Sequence, residues 1–229
     1  MMHAFYEADP NAYPMTMEAT CSYVWLQQAL IILLSARVFD GEILGCVRSG
    51  GIAYEMCRPV HIYDMWFARC TASRLSSAGL RCIPILAVAS ILPESYRMSP
   101  PADSLHFFLF LLTLGLGLLV VVAFSMLIYI SGFYTVSSDG ILMIAKSVVD
   151  LLTGALIPLP FFPERVQRLL ELLPFASMQN VPLRIYSGDL TGSRMYWAIA
   201  VQIFWLAVLA GSGRLLCRRA ERRVTIQGG

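Results

Sequence analysis

Residues able to do chemistry are sparse in this sequence and badly spaced for it. The three histidines, His3, His61 and His106, stand far apart. The six cysteines, Cys21, Cys46, Cys57, Cys70, Cys82 and Cys217, form no CxxC and no metal-ligand spacing, and no disulfide framework is expected of them. There is no HExxH and no GxSxG, and no carboxylate pair inside an apolar run, so no residue stands out as a nucleophile or general base. Gly45 to Gly51 has glycines in phosphate-loop style but lacks the lysine and the Ser/Thr that would complete a nucleotide site. The chain is therefore expected to be no enzyme and to bind no metal or cofactor itself. What remains are polar side chains inside apolar runs. Gln27 and Gln28 sit in the first run, where amides face either another helix, the preferred reading, or a wet path. Lys146 and Asp150 lie at i,i+4 in a later run. An ion pair deep in a membrane would be costly and functional, but both fall in the first half of their segment, which favours mutual neutralisation near an interface.

The elements that hold these residues are set by composition. Of 229 residues, 57% are hydrophobic and 14% charged, and mean hydropathy is +0.65. Soluble domains average about 45–50% apolar and about 25% charged, so this is an integral membrane protein. The net charge of +2 is too small to point to nucleic acid. Met1 to Met15 lacks the basic and apolar regions of a signal peptide. Five spans are expected, at about residues 17–38, 75–92, 104–130, 141–158 and 195–213. The strongest, 104–130, carries Gly115 and Gly117, which offer close approach without forming a GxxxG pair. Between the first two spans, residues 37–81 carry six arginines and are cut by Gly41, Gly45, Gly50, Gly51 and Pro59. Asp40 to Val47 reads as a short helix with Asp40 at its N-cap. Trp66 and Phe67 among arginines suggest a helix lying on the bilayer surface.

One stretch marks a membrane boundary. Pro158, Pro160 and Pro163 break the chain after the fourth apolar run. A short amphipathic helix follows, with Val166, Leu169, Leu170 and Leu173 on one face and Glu164, Arg165, Arg168 and Glu171 on the other. Glu164 and Arg168 form an acid-first i,i+4 pair. Arginine placement sets the sidedness: residues 37–81 and the basic tail (214–229) collect eleven arginines on one face of the membrane against five on the other. By the positive-inside rule the first face is cytoplasmic, and the proline-rich hairpin, residues 158–175, is outside, as is the polar stretch containing Pro182 and Gly188 that runs on to Arg194.

Several pieces in order resemble a known family: Tyr23-Val24-Trp25-Leu26-Gln27-Gln28-Ala29, Asp40-Gly41-Glu42-Ile43, Ser49-Gly50-Gly51-Ile52-Ala53-Tyr54-Glu55, Arg58-Pro59-Val60, Ile157-Pro158-Leu159 through Phe162-Pro163, Leu173-Pro174-Phe175, and Val224 to Gly229. Over about residues 13–229 the chain resembles a permease subunit of the type-2 ABC transporters, from the bacterial branch in which two related permeases pair with a separate ATPase. The resemblance implies an all-α polytopic bundle of six spans in the bacterial inner membrane, beside a second permease or a copy of itself. Two ATP-binding subunits, which carry ATP and magnesium, dock below. It implies a cytoplasmic coupling region, within residues 37–74, in which Asp40, Glu42, Arg48, Glu55 and Arg58 are the candidate coupling residues. Gln27, Gln28, Lys146 and Asp150 are candidates for the path or for helix contacts, and Pro158, Pro160, Pro163, Glu164 and Arg168 belong to the extracellular hairpin. Transport is expected to run outward. Five spans against the family's six imply that the first span is missing. The alternative reading is accordingly a truncated, non-transporting permease that sequesters a partner.

Overall fold

The computed structural model describes residues 15–49, 51–93, 96–101, 103–134, 138–153 and 159–222. Their regular structure is helical: α1 (Met17–Ala29), α2 (Ile31–Leu34), α3 (Gly41–Ser49), α4 (Ile52–Met56), α5 (Ile62–Ile91), α6 (Ser104–Ser131), α7 (Ser138–Leu152), a 3-10 turn at Leu159–Phe161, α8 (Glu164–Leu172), α9 (Pro174–Met178), α10 (Asn180–Tyr186) and α11 (Gly192–Glu221). The all-α membrane bundle expected from composition is the fold observed.

Three described helices, α5, α6 and α11, are long and apolar enough to cross a membrane. With 28 to 30 residues each, they run about 42–45 Å at 1.5 Å per residue, which exceeds a hydrocarbon core of roughly 30 Å. α6 is the centre: half of its most apolar window is buried, against 17% for the other two. α5 and α11 instead turn apolar side chains outward, among them Leu80, Ile83 and Ile91 on α5 and Phe204 and Leu215 on α11. α6 starts at Asp103, whose carboxylate accepts the His106 amide at 2.8 Å and closes one open donor of the first turn. That amide and the imidazole beside it hold the Asp103 carboxyl below its ordinary pKa.

Cross-contacts fix direction. Trp66 stacks on Phe133 and Arg74 reaches Ser125, so α5 is antiparallel to α6. Gln202 meets Thr113, and the Tyr134 hydroxyl donates to the Leu216 carbonyl, so α11 runs parallel to α6. The bundle thus has a basal end, where α3 and α4 lie, and an apical end, where α8 lies.

Several boundaries differ from those read in the sequence. The first apolar segment is not one helix over 17–38. α1 breaks at Leu30, α2 stops at Leu34, and Ser35 is extended. Trp66 and Phe67 are not on a separate surface helix: α5 begins at Ile62, and Trp66, 2% exposed, packs inside the bundle. The second and last spans are longer than their apolar windows, because backbone hydrogen bonds carry a helix through polar residues that hydropathy does not count. Arg214, Arg218 and Arg219 therefore ride on α11 rather than in a tail. α1 has 13 residues, short of the spanning length expected of it; α7 has 15 described residues, and 154–158 of the span expected there lie outside the described residues. Pro158 and Val224 to Gly229 lie outside the described residues.

The largest difference concerns residues 174–186, most of which read from sequence as a polar outer stretch. In the structure every residue from Ala176 to Tyr186 is buried. α8 brings the chain down; Phe175, at the start of α9, sits edge-on to Phe124 of α6, and from there α9 and α10 climb, the Met178 carbonyl lying against Gly117 and the Tyr186 hydroxyl donating to the Ser99 carbonyl at 3.2 Å. Gly117 is 13 residues into α6 and Phe124 is 20, so this re-entrant turn penetrates more than about 20 Å along that helix. Backbone can turn at that depth only where protein surrounds it and satisfies its polar groups.

Candidate functional site

At the basal end, two short helices are fastened to the two long ones that rise from there. Asp40 does this at three points. Its Oδ1 accepts the amides of Glu42 (2.9 Å) and Ile43 (3.3 Å), which makes it the N-cap of α3 as its position implied. Its Oδ2 takes Arg69 Nε at 2.9 Å. Its own amide donates to the Tyr129 hydroxyl at 2.6 Å. Arg69, on α5, also pairs with Glu42, so one guanidinium holds two carboxylates of the segment. Glu55, on α4, accepts the Trp66 indole N–H at 3.1 Å. Beneath these polar ties Ile43, Leu44 and Ile52 are buried. Phe39 sits edge-on to Tyr129, and Lys146 lies 5.8 Å above the Phe39 ring.

The structure therefore brings Asp40, Glu42 and Glu55 together on α5, and draws Lys146 toward the same corner. Arg48 and Arg58 remain exposed, and Arg58 has only a 3.6 Å contact with the Met65 sulfur. The side chain of Asp150, the expected partner of Lys146, lies outside the described residues. Gln27 and Gln28 part company: Gln27 is buried and Gln28 is exposed. Neighbours on a helix point about 100° apart, so both could not share one wall.

Two polar residues that sequence reading did not nominate close the broken helices. Arg74, on α5 and 4% exposed, donates to the carbonyls of Ile32, Leu33, Ser35 and Val38 and to the Ser125 hydroxyl. Those are the open carbonyls where α2 ends and the chain runs extended toward Asp40. Gln202, on α11 and fully buried, donates its amide to Thr113 O at 2.9 Å and Ser177 O at 2.8 Å, satisfying the end of α9. The signal was present as one arginine and one amide within apolar helices. Their targets lie 36 to 42 residues away for the Arg74 carbonyls and 25 and 89 for Gln202.

At the apical end Pro160 is buried and Pro163 precedes α8. Glu164 and Arg168 form the expected pair at 3.1 Å, fully in the open. The apolar stripe is less tidy than its spacing implied. Leu170 packs inside, at 8% exposed, but Leu169 is 67% exposed and Val166 41%, because α8 touches the bundle along a narrow line. Trp205 of α11 holds the end of that line, donating to Leu172 O at 2.9 Å. Glu171 reaches inward to Arg184, which is buried and also paired with Asp189.

Among the described residues no group of His, Cys, Asp and Glu could hold a metal ion. Comparison with curated proteins and with solved structures gives no match. A family model described as an ABC-2 family transporter protein matches residues 21–228, and the chain belongs to that family as a multi-pass membrane permease of an ABC transporter, whose ATP-binding component is a partner.

Proposed function

We propose that this chain is the permease subunit of an exporter in the bacterial inner membrane, forming the translocation path with a second permease or a copy of itself. Two ATP-binding subunits carry ATP and magnesium and dock at the basal, cytoplasmic end. Residues 37–74 are the coupling region, 158–175 the extracellular hairpin and 214–229 the basic cytoplasmic end of one transmembrane domain, with its first residues on the last turns of α11. The observation that carries this reading is the clamp of Arg69 on Asp40 and Glu42, with Tyr129 on the Asp40 amide. A push on α3 from below reaches α5 and α6 together through these bonds, so motion of an ATPase pair tilts helices that cross the membrane. Gln27 and Gln202 support the bundle from within. Arg48 and Arg58 are exposed at the same end, where an ATPase surface would dock.

The test is purification of the chain with candidate ATPase subunits, followed by the double variant Asp40→Asn, Glu42→Gln. Asparagine still caps a helix well, and exposed ion pairs contribute only about 0–1 kcal/mol, so the fold should survive. The expected result is ATP hydrolysis that continues while transport falls by about tenfold, since the two ties lost together, at up to about 1 kcal/mol each, approach the roughly 1.4 kcal/mol that shifts an equilibrium tenfold. Unchanged transport, or no ATPase subunit bound to the wild type, would rule the reading out.

Sidedness has its own check. A cysteine at Arg168, whose side chain is 78% exposed, should react with a membrane-impermeant thiol reagent added to intact cells. Labelling only from the inner face would invert the topology.

A further inference from the structure

Between α8, the re-entrant α9–α10 pair and the first turns of α11 lies a cavity of about 330 Å³. Its lining mixes two chemistries. Val181, Leu190, Ala198 and Val201 give it an apolar wall, and Arg184 and Arg194 of the same elements, with Glu164, Arg168 and Glu171 of α8, bring charge. The carboxylates are already engaged: Glu171 shares the buried Arg184 with Asp189, and Glu164 takes Arg168. Arg194 at the mouth has no hydrogen-bond or ion-pair partner among the described residues, and it stands beside the 64% exposed Trp197. Inside, Ser177 is one of the lining residues, and its hydroxyl is fully buried with no hydrogen-bond partner among the described residues. Buried hydroxyls are seldom left so unless a ligand or water completes them.

We propose that this cavity binds the head of an amphiphile carrying an anionic group. The anion sits at Arg194, an ester or hydroxyl oxygen takes the Ser177 proton, and the chains leave along the apolar wall past Trp197. The unpartnered guanidinium selects charge, because a charge-assisted bond to an anion is about twice as strong as a neutral one. The volume matches the small end of ligand pockets, roughly 300–1,000 Å³, enough for a head group and the start of its chains. Tyr196 and Trp197 are aromatics of the kind that sit at head-group level, which puts the mouth where a bilayer lipid can enter sideways. The head group can equally come from a soluble phosphate ester, and the two sources are separable. The inference does not depend on ATP coupling, so it can fail while the transporter reading stands.

The experiment measures binding to the purified full chain in detergent by native mass spectrometry. Phosphatidylglycerol, phosphatidylcholine with the same chains, and soluble glycerol phosphate are the three probes. Phosphatidylglycerol should bind one per chain and most tightly, with Arg194→Ala weakening it about tenfold. Ala198→Trp, which fills the cavity and leaves every charge in place, should abolish it, with thermal unfolding used to verify that the variant is folded. Equal binding of phosphatidylcholine would overturn the role of charge. Glycerol phosphate binding as tightly as the lipid would overturn the amphiphile. Wild-type binding by both variants would overturn the site.

Discussion

Replacing Arg74 with methionine should destabilise the protein by about 3–5 kcal/mol, the cost of leaving two or more buried carbonyls without their donor. The guanidinium is nearly sealed from solvent and reaches four carbonyls and a hydroxyl. No carboxylate is among those partners. Its charge is met by the C-terminal dipole of α2 and by carbonyls that helix geometry leaves open. Methionine would fill much of the volume but donate nothing, leaving those carbonyls facing apolar side chains at about 1–3 kcal/mol for each unsatisfied group. Lysine should recover part of the loss, since an ammonium keeps the charge but lacks the fork that spans several acceptors. Thermal unfolding in detergent, with the yield of folded protein, reads the effect. If Arg74→Met unfolds at the wild-type temperature, the helix-closing role is wrong. Because the same carbonyls lead into Asp40, the variant should also loosen α3 and lower transport more than its stability alone accounts for.

The second large effect is expected at Gly117. A Cβ added there would lie 2.5 Å from the Met178 carbonyl oxygen, with the Gln202 amide at 3.4 Å and a Leu34 methyl at 3.5 Å. The nearest neighbour is backbone of the re-entrant segment, so no side-chain rotation relieves the clash. Overpacking of this kind costs about 1–3 kcal/mol, more than the roughly 1 kcal/mol alanine gains over glycine in a helix. Gly117→Val should be worse than Gly117→Ala, and both should expel the α9–α10 turn from its seat. Gly115, two residues earlier, is the control: a Cβ there meets nothing within 4 Å, so Gly115→Ala should be neutral or mildly stabilising. Similar melting temperatures for Gly115→Ala and Gly117→Ala would show that the close approach carries no weight.

These two residues also show where sequence reading stops. Gly115 and Gly117 look equivalent as small residues in one apolar run, and only the partner separates them. The partner is a turn more than 60 residues away in the chain, not a second spanning helix. Arg74 looks like one of six arginines in a basic, glycine-cut stretch. Its burial follows from the end of α2, which hydropathy continues past Leu34 because Val38 and Phe39 are apolar. Asp40, by contrast, was legible, since an N-cap is a local bond between a side chain and amides two and three residues on.

The sequence by itself determined the membrane class, the helical architecture, the central helix α6 and the cap that starts α3, because composition, apolar run length and capping act over a few turns. It also carried the family, through an ordered set of short pieces. Tertiary structure alone decided that Asn180 and Arg184, which read as part of a polar outer stretch, lie inside the bundle. Their partners are Tyr23, Glu171 and Asp189, and the Tyr23–Asn180 bond joins residues 157 apart. A polar residue is buried only when such partners arrive, and their arrival depends on how the long helices pack.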